Sequence, residues 1–227
     1  MSVGPTIDRV KRIGTGLSFI AFPLMLFLGF LMHPNLLDFN RVTDVTAWSA
    51  EFRGNFMFHF GHLLVLLAVP LIIVAGLGCM RLATGRGAWL GLIGGVLGIF
   101  GAFVLAVDKG ALTLVLTAFD SLADAEFAAI SPALQSLLDR KGWLEFVYLL
   151  ALLPVGFSIM TLGMLRAQAI GRTQAAVIIV GLLLLLNPDI EIISVAAASL
   201  MCLGYLPLGI KELRGESSDV AVVREAK

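Results

Sequence analysis

Residues Asn55 to Pro70 read NFMFHFGHLLVLLAVP, an apolar stretch that opens on an asparagine and two of the protein's three histidines. Asn55, His59 and His62 are spaced i, i+4 and i+7, so on a helix they share one face, which continues through Leu66 and Val69. The apolar run extends to about Leu82. At ~1.5 Å per residue it is long enough to cross a hydrocarbon core ~30 Å thick, with Pro70 bending it on the way. A lipid-length helix with ionisable groups gathered at one end sets the pattern for the chain.

Composition agrees with that pattern. Of 227 residues, 59% are apolar and 14% charged, and the mean hydropathy is +0.96. These values exceed what a soluble domain carries and predict an integral membrane protein, all-α, with the lipid bilayer as its first partner. Lys plus Arg and Asp plus Glu both number 16, which gives no basic excess for a nucleic acid. Cys79 and Cys202 lie in apolar runs, match neither a disulfide framework nor a zinc motif, and read as small core residues. No nucleotide-binding loop, GxSxG elbow, CxxC pair or HExxH motif occurs.

Six spans are predicted, at about 13–32, 56–82, 89–110, 143–165, 173–186 and 188–210, in a single transmembrane bundle over 1–214. The first run is 20 residues without a following cleavage pattern, so it stays as a helix. The third apolar run continues past Asp108-Lys109-Gly110 to Phe119, so that helix either protrudes or breaks at Gly110. Short amphipathic interfacial helices are expected at about 36–54, with Val45, Trp48 and Phe52 on one side, and at 120–141, where Ser131-Pro132 reads as N-cap and first turn. Asn187-Pro188 reads as the start of the sixth span, and residues 215–227 as a disordered tail.

Charge sets the orientation. Arg9, Lys11, Arg12, Arg81, Arg86, Arg166, Arg172, Lys211, Arg214, Arg224 and Lys227 fall on one side of this topology, 11 of the 16 basic residues. The other side holds Arg41, Arg53, Arg140 and Lys141. The positive-inside rule then places both termini in the cytoplasm, with the protein in the cytoplasmic (inner) membrane. Gly91, Gly94, Gly95, Gly98 and Ala102 form overlapping small-xxx-small patterns. The face of Gly91, Gly95, Gly98 and Ala102 either seats a second copy of the chain or packs on a neighbouring helix, the commoner use in a multi-span protein.

The remaining polar groups converge near the extracytoplasmic side. His33 ends the first helix, His59 and His62 open the second, Asp108 lies high on the third, Glu145 opens the fourth, and Asp189 and Glu191 open the sixth. Ionisable groups at membrane depth are costly and usually pair or line a cavity. Asn55, His59, His62, Asp108 and Glu145 are therefore the candidate ligand-binding residues. Each also has a structural reading: Asp189 and Glu191 suit a helix N-terminus, Lys109 can snorkel, and histidines can simply be hydrogen-bonded. Asp108 interrupts an apolar run, and Lys109 points about 100° away from it, so it is expected to find its partner on another helix.

Three chemistries fit such a layer. A divalent metal could be held by His33, His59, His62 and Asp108, leaving an open position for metal-assisted hydrolysis. Haem could sit between the first two helices on His33 and His59 or His62, for electron transfer. Without either, the layer serves a transporter, sensor or ligand-binding protein, or ties the interfacial helices to an accessory subunit. The His33-Pro34 after helix one, His59 or His62 opening helix two, the Gly-rich third helix and Asp108 at its end resemble uncharacterised bacterial six-helix membrane proteins. The resemblance covers most of residues 13–165 and implies a six-helix fold in the cytoplasmic membrane, with no activity carried over.

Overall fold

Where lipid replaces water, each apolar segment must satisfy its own backbone, and the chain does so with helices. The computed structural model describes residues 4–187 and 190–216. In order these form α1 (Gly4–Leu31), α2 (Val45–Phe52), α3 (Phe56–Leu82), a 3-10 turn (Gly85–Gly87), α4 (Ala88–Phe119), α5 (Asp124–Asp139), a 3-10 segment (Gly142–Ala151) running into α6 (Leu152–Arg166), α7 (Arg172–Leu184) and α8 (Glu191–Arg214). No strand occurs among the described residues.

Five helical stretches are long and apolar enough to cross a membrane, the fourth combining the 3-10 segment with α6. The remaining apolar helix, α7, has 13 residues, roughly 20 Å against a hydrocarbon core of ~30 Å. The helices close into a ring in which α1 touches α3 and α8, α4 lies between α3 and α6, and α7 joins α6 to α8. Aromatic and aliphatic side chains such as Phe19, Phe22, Ile72, Phe157, Met160 and Tyr205 fill its centre. The outer faces keep Leu24, Leu28, Leu67, Val96, Phe103, Leu162, Val180 and Leu203 exposed. So much apolar surface is stable against lipid and not against water. Trp89 and Trp143, 75% and 98% exposed, stand at opposite ends of the bundle, where indole rings favour the interface.

The small-residue face of α4 is filled inside the chain. Gly91 packs on Ala83 and Gly95 on Met80, both at the end of α3, while Gly94, Gly98 and Gly101 meet Gly156, Phe157, Met160 and Leu153 of α6. Gly91, Gly95, Gly98 and Ala102 are buried within one copy, so the expected dimer face is a pair of intramolecular seams.

Several boundaries differ from the sequence reading. α4 does not end near 110 but runs unbroken for 32 residues. Its last turns extend beyond the ring because α2 and α5 give them a second apolar cluster, Phe52, Phe58, Leu116, Phe127 and Leu134. The interfacial helix α5 begins at Asp124, with the Glu126 carboxylate accepting the Ala123 N–H. Ser131-Pro132 therefore lies inside it, where Ser131 Oγ donates to the Phe127 carbonyl. The fourth span opens as a 3-10 segment of 10 residues with no buried side chain. α8 starts at Glu191 because Asn187 Oδ1 accepts the Ile190 N–H at 2.6 Å; the expected first-turn residues Pro188 and Asp189, and the tail 217–227, lie outside the described residues.

Candidate functional site

The ring is pinched where α1 and α3 pass each other. A Cβ on Gly61 would lie 2.7 Å from the Gly29 carbonyl, so only hydrogen fits there. This close approach brings His33, just past the end of α1, beside His62 on α3, with ring centroids 5.6 Å apart. Phe58 completes a cluster of tilted rings, its centroid 4.3 Å from that of His62 and 5.1 Å from that of His33. Lys109 from α4 and Glu191 from the first turn of α8 reach the same place. Together with Gly29, Phe30, Gly61 and Val65 they line a cavity of about 30 Å³. A hole of that size holds about two water molecules.

Each histidine is held through its Nδ1. His62 Nδ1 lies 2.8 Å from the Phe58 carbonyl and His33 Nδ1 lies 3.2 Å from the Pro34 carbonyl. On the other side of its ring, His33 Nε2 is 3.6 Å from Glu191 Oε1.

A second polar group forms where α3 meets the overhanging end of α4. His59 Nε2 is 2.7 Å from Asp120 Oδ2, and His59 Nδ1 is 3.2 Å from Thr117 Oγ1. Thr117 has one hydroxyl proton, which it donates to the Thr113 carbonyl at 2.5 Å. The Asp120 carboxylate on the other side can only accept, so His59 Nε2–H donates to it.

Of the residues expected to converge, the fold unites His33, His62 and Glu191, and adds Lys109. His59 is turned to Asp120 and Thr117 instead. Asp108 finds its partner beside it in sequence, with Oδ2 3.1 Å from Lys109 Nζ. The expected partner on another helix is not needed, because four methylenes let the lysine bend back across the 100° between neighbours. Asn55 is the N-cap of α3, its Oδ1 accepting from Met57 and Phe58 and its amide donating to the Glu51 carbonyl. Glu145 is exposed on the 3-10 segment.

This dispersal separates the four residues expected as metal ligands. Among the described residues no three His, Cys, Asp or Glu side chains are arranged to hold an ion, since His59 and Asp108 are committed elsewhere. Comparison with family models, with curated proteins and with solved structures gives no match.

Sequence reasoning passed over Asp120 and Thr117, which lie beyond the stretch taken as membrane-spanning. Their i, i+3 spacing on a helix continuing from Gly110 was the available signal. It also passed over Glu51, buried at the end of α2 and bonded by Asn35 Nδ2 at 3.0 Å, and Glu212, buried on α8 with Oε1 2.9 Å from Arg81.

Proposed function

We propose that this chain is a multi-pass protein of the cytoplasmic (inner) membrane, with six spans and both termini inside, and that its working part is a small polar pocket on the extracytoplasmic side. The observation that carries the reading is that the end of α1 and the helices α3, α4 and α8 each deliver one ionisable side chain, His33, His62, Lys109 and Glu191 in turn, to one pocket. In a bundle facing lipid such a gathering is costly unless it is used. The narrow floor of the pocket suits a ligand of a few atoms, which favours a binding or sensing role. Among the described residues no Ser, Thr, Cys or Tyr lines it to serve as a nucleophile. Orientation is supported by the basic residues of α1, α3, α6, α7 and α8, which gather at the end away from the pocket.

The test is thermal unfolding of the detergent-purified chain against formate, acetate, phosphate, ammonium and pH, the last between about 5 and 8 where histidine changes charge. At least one of these should shift the melting temperature of the wild type more than that of His62→Gln and Lys109→Met. Identical responses in all three proteins would remove the pocket from the function. Single cysteines at Thr84 and Gly142, with Cys79 and Cys202 replaced by Ala, test the orientation. An impermeant thiol reagent applied to intact cells should reach only position 142.

A further inference from the structure

The identity of the pocket's ligand follows from counting protons on its two histidines, and rests on the pocket reading above. A backbone carbonyl can only accept, so His62 Nδ1, 2.8 Å from the Phe58 carbonyl, carries a hydrogen, and so does His33 Nδ1, 3.2 Å from that of Pro34. Both rings are fixed in the same sense, and on each the nitrogen left to gain or lose a proton is Nε2. His33 Nε2 faces Glu191 Oε1 at 3.6 Å. A bare nitrogen lone pair and a bare carboxylate would repel at that distance. A proton on Nε2 or on the carboxyl turns that repulsion into attraction, directly or relayed by a water. The cavity of about 30 Å³ beside them has room for that water and is bordered by His62.

We infer that the pocket is a proton-binding site: one exchangeable proton is held by the His33–Glu191 pair and handed through cavity water to His62 Nε2. In the transfer the water accepts a proton from His33 Nε2 and gives another to His62 Nε2. No atom or charge is gained overall, and water is the only co-reactant. The surrounding charges suit a particle that comes and goes. Lys109, paired with Asp108 at 3.1 Å, faces the site from α4, and its ammonium opposes a resident metal cation. The Glu191 carboxylate from α8 opposes a resident anion. Glu51 of α2 is occupied by Asn35, and His59, on the same helix as His62, by Asp120.

The experiment is a pH titration of full-length protein carrying 15N-labelled histidine, in detergent. The chain has three histidines, so His33→Gln, His59→Gln and His62→Gln assign every signal. Glu191→Gln should lower the His33 midpoint by about one pH unit or more, since an opposite charge within a few ångströms raises it by that amount. Lys109→Met should raise it. His62→Gln should turn a two-step His33 titration into a single step, the mark of coupled sites. The His59 signal, held by Asp120 and Thr117, reports an intact fold in each variant. Should Glu191→Gln fail to fold, Lys109→Met and His62→Gln carry the same test. A His33 midpoint unmoved in the folded variants overturns the proton assignment. If one of the small solutes nevertheless stabilises the wild type and not His62→Gln, the pocket reading survives with a different ligand; if none does, both fall.

Discussion

Replacing Gly156 by alanine tests whether the α4–α6 seam depends on the absence of side chains. The new Cβ would fall against the Gly98 backbone and 2.6 Å from the Gly94 carbonyl, where ordinary contact starts near 3.4 Å. Neither obstacle is a flexible side-chain end, so the helices must part by at least the roughly 0.8 Å missing at the Gly94 carbonyl, and further to clear the Gly98 nitrogen. A gap of ~0.5–1 Å forfeits roughly a quarter to a half of each dispersion contact across the seam, and overpacking of this kind costs about 1–3 kcal/mol. At about 2–4 °C per kcal/mol for a chain of this size, the melting temperature should fall by about 2–12 °C. Gly110→Ala is the matched control. It lies in the same α4 helix, and a methyl group added there meets nothing within 4 Å, so it should gain the ~0.5–1 kcal/mol of helix preference that glycine lacks. Thermal unfolding of both variants in one detergent gives the comparison. A Gly156→Ala protein as stable as wild type would refute the backbone-to-backbone packing of these helices.

Further substitutions probe the polar ties. Arg81→Met should destabilise by about 3 kcal/mol, because it strands the Glu212 carboxylate, 1% exposed, without its ion-pair partner; Arg81→Met with Glu212→Leu should recover most of that in the same melting assay. Asp120→Ala removes the carboxylate that accepts from His59 Nε2–H and should cost about 1.5–3 kcal/mol by denaturant or thermal unfolding, with the His59 signal moving while His33 and His62 stay in place. Asn187→Ala breaks bonds to Ile190, Leu184 and Ser194 at the entry to α8, and a loss of about 1–2 kcal/mol is expected on melting.

The helices were legible because apolar run length and the 3.6-residue period are local properties. The stripe Val45, Trp48, Phe52 sufficed to place α2, and α5 was found by its apolar side chains even though Ser131-Pro132 suggested a later start. That start lost to Glu126, whose bond to the Ala123 N–H lies upstream. The end of α4 was legible only as a choice, since whether a helix overhangs its bundle depends on what covers the overhang, here Phe52 and Phe127. At the site, the shared depth of His33, His62 and Glu191 could be counted off the sequence. Their meeting could not, because it depends on which helices are neighbours and on the Gly29–Gly61 approach. His59 and His62 share a helix face by spacing, yet three residues are enough rotation to aim one at α4's overhang and the other at the ring.

Closure of the ring through α1 and α8 leaves the first and last described segments side by side at one end. Gly16 meets Leu213 and Gly209, and the Arg12 guanidinium reaches Gly215. Adjacent helices that are far apart in the chain need no covalent link elsewhere to stay adjacent, so chain order and spatial order are separable in this protein. Residues 216 and 4 could be spliced by a short flexible linker and the chain reopened in the Ala83–Gly87 turn, giving a rearranged gene product with every seam of the bundle preserved.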